Sequence, residues 1–452
     1  MKMDLSELTS EEVRGMLKAY ADDPLNDDEL RLVLETDSRG GIKNSTFNRN
    51  EILLFDSLFR DRLRYDCFLR SAVLPREMPK PWTRRRSSAK LDDTDLALIR
   101  TAVYERYGIE MSPGDLESAL KVVCEHRCYH PVLELLESLK WDGTPRIAYA
   151  LKRYLGAEVS DYNTACLRTH MMAAIRRLYA PGEKYDYMLC LTGEQGIGKS
   201  SFFRFLALRP EWFTDNLGSL SDEHLPSRLM GHWFCELPEM SEAYSARSLE
   251  ELKSFVTRQV DNYREPYGRK PADIPRQCVF CGSSNSSQFI PFDRTGARRF
   301  LPVQVGVTAP EAGILTDEEE TKAYFEQMWA EAMEYYRSHE VRLIMPPELM
   351  KQTADMQEQY MPEDTTLGLI SGWLARENKK RTCLKEVWVE CLSHDLKDDF
   401  PRRASLELAD CLQKLGWSSG TPHSFGIYGD QRVWTGPKNY SLITAPDPEF
   451  PF

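Results

Sequence analysis

Apolar positions along the chain change their spacing several times, and each change marks a section. Residues 1 to about 80 are mixed and acidic, and LRLVLETDSRGGIKNSTFNRNEILLF predicts a small helical unit with a turn at Gly40–Gly41. From Asp92 to about Ala180 apolar residues recur at helical spacing, interrupted by the turn WDGTPRI at Trp141–Ile147. Between about 181 and 306 short apolar runs (YMLCL, HWFC, QCVFC) alternate with amphipathic ones, as buried strands alternate with helices in an α/β domain. After Val305 the chain turns acidic and helical. From about Asp364 it becomes basic and aromatic, with three short helices ahead of an aromatic hairpin at Phe425–Trp434. That order suggests a winged-helix-like domain, with Arg402, Arg403, Lys414, Arg432 and Trp434 as candidate DNA contacts. The expected divisions are a small acidic unit and linker (1–90), a helical domain (91–180), the α/β domain (181–306), a helical connector (307–363) and the C-terminal domain (364–452).

The turn after YMLCL carries the first chemistry. LTGEQGIGKSSFFRFLA places Gly193, four residues, then Gly198, Lys199 and Ser200 between a strand and an amphipathic helix, the pattern of a phosphate-cradling loop. Glycines let backbone N–H groups turn toward anionic oxygens, and the helix aims its positive end at the same point. Gly193, Glu194, Gln195, Gly196, Ile197, Gly198, Lys199, Ser200 and Ser201 are the expected ATP cradle. Within it Lys199 would reach the β- and γ-phosphates, and the Ser200 hydroxyl would meet Mg²⁺.

Such a loop needs an acid to hold the metal and align water. GHWFCELPEM offers Glu236 at the end of an apolar run as that acid, with Glu239 as its helper. A further apolar run, QCVFCGSSN, ends in Asn285, an amide able to orient water beside the γ-phosphate. FIPFDRTGARRF then supplies Arg298 and Arg299, suited to stabilising charge that develops during phosphoryl transfer.

Composition narrows the partners. The formal net charge of −12 over 452 residues argues against a surface coated for nucleic acid but allows a local basic channel. Two basic stretches stand out: TRRRSSAK (Thr83–Lys90), expected as a solvated link, and YREPYGRKPADIPR (Tyr263–Arg276), where arginines interleave with tyrosines and prolines. Arg264, Tyr267, Arg269 and Lys270 are the DNA-binding candidates there. Eleven cysteines are scattered singly or in short pairs, as in a reduced cytosolic chain. Cys124, His126, Cys128 and His130 alternate on a helical pattern that points them apart, and Cys278 with Cys281 reads as a pair of core thiols. No apolar run approaches the twenty or so residues of a membrane span, so no membrane association is expected.

WDGTPRI, GEQGIGKSS, CELPEM, DNYREPYGR, PRQCVFCGSSN and DRTGARRF, in this order, resemble the virulence-associated protein E family of phage, prophage and mobile-element proteins, akin to superfamily 3 helicases and the poxvirus primase-helicase. The resemblance covers roughly Asp92–Val305. It implies a P-loop AAA+-like ATPase fold, and a ring, expected to be a hexamer, that uses ATP and Mg²⁺ to move along or open single-stranded or forked DNA in replication. In that reading Lys199 and Ser200 match Walker A, Glu236 matches Walker B, Asn285 matches sensor 1, and Arg298 with Arg299 match the arginine finger. Asp261, Arg264, Tyr267 and Arg269 match the block where related helicases carry a DNA-contacting hairpin. Two departures, GSSN for GTTN and GARRF for GNRRF, spare the proposed catalytic groups. About ninety residues precede the helical region, too few for the primase module of many relatives, so a separate primase is a possible partner. The implied setting is the cytoplasm of a bacterial host. The competing readings are an ATP-hydrolysing initiator or anti-phage switch that does not unwind, and a small-molecule kinase.

Overall fold

The computed structural model describes residues 26–86, 88–240, 246–263, 272–290, 297–339, 341–362 and 364–437. Two compact units divide the chain, Met1–Tyr360 and Met361–Phe452.

Two apolar cores organise the first unit. One gathers Leu30, Ile52, Ile99, Val103, Leu116 and Val123 from the helices Asp27–Val33, Thr46–Phe55, Asp93–Tyr107 and Pro113–His126. Capping boxes start three of these helices, at Asn26, Asp92 and Ser112. The turn at Gly40–Gly41 forms, with Gly40 at φ +80° and the Gly41 amide donating to Asp37 Oδ1 at 2.9 Å. In the stretch Thr83–Lys90 the described residues are exposed, as its charge suggested, except Arg86. Arg86 is buried, and its guanidinium donates to Asp95 Oδ1 at 2.7 Å and to the Leu74 carbonyl at 2.6 Å. Asp95 lies in the first turn of a helix and faces the core, so it needs an internal cation.

The second core surrounds a five-stranded sheet. Its strands are β1 (Met188–Thr192), β2 (Phe213–Thr214), β3 (Phe234–Leu237), β4 (Val279–Ser284) and β5 (Phe300–Gln304), in the order β5-β1-β4-β3-β2. Every pairing is parallel. Parallel strands covered on both faces must be continuously apolar, which is why MLCL and VFC show no alternation. Helices α1 (Ile147–Leu155), α2 (Asp161–Tyr179), α3 (Lys199–Leu206) and α4 (Glu318–Ser338) share this core. Trp233 and Trp329 pack with ring centroids 4.4 Å apart, and Trp329 Nε1 donates to the Leu206 carbonyl at 2.8 Å, fixing α4 against α3. Phe280 of β4 instead meets Phe255 of the helix Ala246–Thr257. Cys278 and Cys281 are buried, as expected of core thiols. The section expected as one helical domain (91–180) contributes to both cores.

The second unit runs helix Thr365–Arg376, strand Arg381–Thr382, helical turns from Leu384 to Cys391, helix Arg402–Lys414, then strands Ser418–Ser424 and Asp430–Thr435. The last strand pairs antiparallel with both others. The hairpin begins earlier than its aromatic residues suggested, because Phe425 opens the turn between the strands. Trp434 is buried with Trp373 and Trp417, which corrects its expected role as a DNA contact. Arg402, Arg403 and Lys414 are exposed, although Arg403 is paired with Glu407 at 3.2 Å.

Candidate functional site

The C-terminal ends of β1, β3 and β4 meet at the glycine-rich turn. Gly196 and Gly198 have φ of +84° and +98°, and a side chain on Gly193 would strike the Val305 carbonyl at 2.6 Å, so all three need glycine. Helix α3 begins at Lys199 directly after the turn, so its unpaired N–H groups face the cleft that the turn encloses.

Lys199 is largely buried, and its ammonium donates to the Gly193 carbonyl at 2.7 Å, the Glu194 carbonyl at 2.8 Å and Asn285 Oδ1 at 2.8 Å. Burial holds its pKa below the usual lysine value, against the pull of Glu236. Glu236 is fully buried on β3. Its Oε1 accepts from Ser200 Oγ at 2.8 Å and from Ser283 Oγ at 2.5 Å, while Oε2 has no partner among the described residues. Burial raises its pKa, and the Ser283 and Ser200 hydroxyls oppose the shift. A buried carboxylate oxygen without a partner is costly unless a cation completes it. With Ser200 beside it, Glu236 offers two oxygen ligands of the kind Mg²⁺ takes.

Glu239 lies three residues beyond, exposed on the cleft wall, with a strained φ of +49°. The Met240 amide donates to the Ser283 carbonyl at 2.8 Å and holds that turn against β4. The cleft encloses about 640 Å³ and is lined by Gln195–Ser201, Glu239, Ser283 and Asn285 on one side, and by Tyr154, Pro310 and Gly313–Thr316 on the other. Lys199, Ser200, Glu236, Glu239 and Asn285 therefore converge.

Arg298 and Arg299 do not join them. They precede β5, whose Phe300 is level with Met188 and whose Gln304 is level with Thr192, so the arginines sit at the opposite end of the sheet from the cradle. The strands between span roughly 15 Å. Neither guanidinium pairs with a described residue. Both line a separate cleft of about 740 Å³ with Arg176, Lys184, Asp186 and Ile344.

Arg264, Tyr267, Arg269 and Lys270 lie outside the described residues. Asp261, from the same block, faces inward. Arg276 grips it through Nε–Oδ2 at 2.5 Å and Nη2–Oδ1 at 2.9 Å, and both side chains are buried. Asp261 thus anchors the base of the hairpin Val260–Tyr263/Ala272–Pro275. His130 accepts from the Leu133 amide through Nδ1 at 3.3 Å, and its Nε2 lies 2.7 Å from Gln277 Oε1. Among the described residues no helix is long and apolar enough to cross a membrane.

Sequence reasoning missed Ser283, Tyr154 and the segment 310–316. The signal for Ser283 was present, since it lies two residues before Asn285 on the same strand end. No local pattern marks the others.

Residues 136–362 match the model of the virulence-associated protein E-like domain. Among solved structures, the apo structure of the NrS-1 C-terminal region (305–718) superposes with a TM-score of 0.44 at 14% identity, covering 83% of this chain and 96% of that one. The A-form apo structure of the same region gives 0.44 at 13% identity, with coverage of 83% and 96%. No curated protein matches the chain.

Proposed function

The chain belongs to the virulence-associated protein E-like family, and on that premise we propose that it is a Mg²⁺-dependent, ring-forming ATPase that moves along or opens DNA during the replication of a phage or mobile element. The observation that carries the reading is the convergence of Lys199, Ser200, Glu236 and Asn285 from three separate strand ends on one glycine-rich turn. The strand order β5-β1-β4-β3-β2, with the glycine-rich turn after β1 and Asn285 after the adjacent β4, supports a P-loop AAA+-like domain.

The residues divide the chemistry. Lys199 and the amides at the start of α3 bind and orient the β- and γ-phosphates, where a fixed cation and a helix N-terminus are suited to anionic oxygens. Lys199 then exchanges the Gly193 and Glu194 carbonyls for phosphate oxygens. Ser200 and Glu236 would hold Mg²⁺, which supplies charge neutralisation across the phosphates. Glu239, exposed beside them, accepts a proton from water, and Asn285 orients that water. Arg298 and Arg299 cannot reach the cradle of their own subunit, so they serve the nucleotide of a neighbour in the ring. The element order of the C-terminal unit supports a winged-helix fold that contributes a second DNA contact through Arg402, Arg403 and Arg432. Arg264, Tyr267, Arg269 and Lys270 supply the first.

ATPase rates with and without single-stranded DNA, for wild type and Lys199→Ala, test this reading. DNA-stimulated turnover that Lys199→Ala abolishes supports it, and equal turnover by folded mutant and wild type contradicts it. A forked-duplex strand-separation assay then distinguishes a helicase from an initiator or switch that hydrolyses ATP without unwinding.

A further inference from the structure

The described residues between 75 and 90 belong to a loop whose ends are tied together. The Leu74 amide donates to the Ala89 carbonyl at 3.0 Å, and the Leu91 amide to the Ala72 carbonyl at 3.3 Å. Two of the loop's own side chains fill it. Trp82 is buried and donates from Nε1 to Asp95 Oδ1 at 2.9 Å, and Arg86, paired with the same Asp95, also donates to the carbonyls of Ala89 at 3.2 Å and Lys90 at 2.9 Å. The Arg86 amide reaches the Arg76 carbonyl at 2.8 Å. Joined ends and an interior of its own side chains make this an Ω-loop of fixed shape, a class of loop that frequently carries function.

Its outer face carries charge of one sign. Residues 75–90 include six basic side chains and one acid, in a chain whose formal net charge is −12. Arg86 is neutralised inside by Asp95, and Arg85 lies 3.7 Å from Glu77 with both side chains mostly exposed. Arg76, Lys80, Arg84 and Lys90 are exposed and make no ion pair among the described residues. Unpaired cations held on one rigid loop repel one another, and a polyanion relieves that repulsion as it displaces their counterions. The loop's single aromatic residue is Trp82, which is buried, so no ring is offered for stacking on an unpaired base. That favours the phosphate backbone of duplex DNA over a single strand.

We propose that this loop grips the backbone of duplex DNA through Arg76, Lys80, Arg84 and Lys90, independently of base sequence and of ATP. It belongs to the N-terminal core, outside the family domain, and is a surface separate from the cradle and from the DNA contacts assigned above. It shares with the proposed function only the identity of the partner.

Fluorescence anisotropy of the full chain with a blunt duplex and with oligo-dT, over a series of salt concentrations and without nucleotide, tests the grip. The variant Arg76→Gln/Lys80→Gln/Arg84→Gln/Lys90→Gln changes only exposed side chains, so its melting temperature should match wild type. It is expected to bind the duplex at least about tenfold more weakly near about 0.1 M salt and to flatten the slope of log affinity against log salt by about two or more, while oligo-dT stays within about twofold of wild type. Arg76→Lys/Arg84→Lys, which keeps the charge, is expected to keep the wild-type slope. An unchanged duplex slope in the four-site variant, or equal losses for duplex and single strand, would overturn the grip. So would unchanged duplex binding with lost affinity for polyglutamate, which would mark a surface for an acidic protein. Failure of the proposed function looks different: wild type would bind neither duplex nor oligo-dT.

Discussion

Lys199 and Asn285, 86 positions apart, are joined by a 2.8 Å hydrogen bond from Nζ to Oδ1. The contact exists because β1 and β4 are neighbours, so the residue that opens α3 and the residue that follows β4 emerge side by side. It holds the ammonium at the glycine-rich turn and brings Asn285 into the same cleft.

Asn285→Ala should therefore separate binding from turnover. Lys199 keeps two carbonyl acceptors and stays in place, so KM for ATP should remain within about threefold of wild type. Loss of the group that orients water should lower kcat by about tenfold or more. Steady-state kinetics decide it, and a large rise in KM with unchanged kcat would assign Asn285 to binding alone.

Glu236 gives a pH dependence with a definite sign. Burial raises its pKa above the ordinary 4.5. Its protonated form is thus favoured in the folded chain, and the stability this contributes is present below 4.5 and lost as pH rises through the folded value. Glu236→Gln removes that loss. Without Mg²⁺ or nucleotide, the variant should melt about 2 °C or more above wild type at pH 7, with the advantage shrinking toward pH 4.5. Thermal unfolding at several pH values checks it, and a constant difference would show that ionisation of Glu236 carries no penalty.

Gly156→Ala tests how firmly the strap 306–316, whose amides at Gly306, Thr308 and Ala312 donate to the carbonyls of Leu155, Gly156 and Arg153, is built in. The added methyl meets a backbone oxygen at a positive φ, so neither rotamer choice nor a flexible neighbour relieves it. A loss of at least about 3 kcal/mol is expected in denaturant unfolding. A loss under about 1 kcal/mol would mean that the strap moves aside easily.

Much of the site was legible in the sequence because each group follows a recognisable apolar run. MLCL leads to Gly193–Ser200, FCEL contains Glu236, and VFCGSS leads to Asn285. What local pattern could not reveal was partnership. Helices Asp93–Tyr107 and Asp161–Tyr179 both carry recurrent apolar residues, yet the first packs with the N-terminal core and the second beneath the sheet. Arg86 reads as one of three adjacent arginines until Asp95 is found buried beside it. The strap 306–316 has neither periodicity nor a motif, and its conformation depends on Gly156, some 150 residues earlier in the chain. Trp434 reads as a DNA contact because it stands in a basic and aromatic stretch, and only the packing with Trp373 and Trp417 places it inside.

Arg298 and Arg299 lie at the far end of β5 from Lys199, so in the proposed ring hydrolysis belongs to an interface between subunits, and mixing two inactive variants tests that proposal most directly. Lys199→Ala keeps both arginines, and the Arg298→Ala/Arg299→Ala double variant keeps an intact cradle. Each alone is expected to lose ATPase activity by three or so powers of ten, as removal of a phosphate-site cation or an arginine finger does. Mixed rings contain some interfaces where an intact cradle faces intact arginines, so the ATPase rate of the mixture should recover to a measurable fraction of wild type. A mixture that stays as inactive as its components while forming the same oligomer, or an arginine double variant that hydrolyses ATP normally, would contradict it.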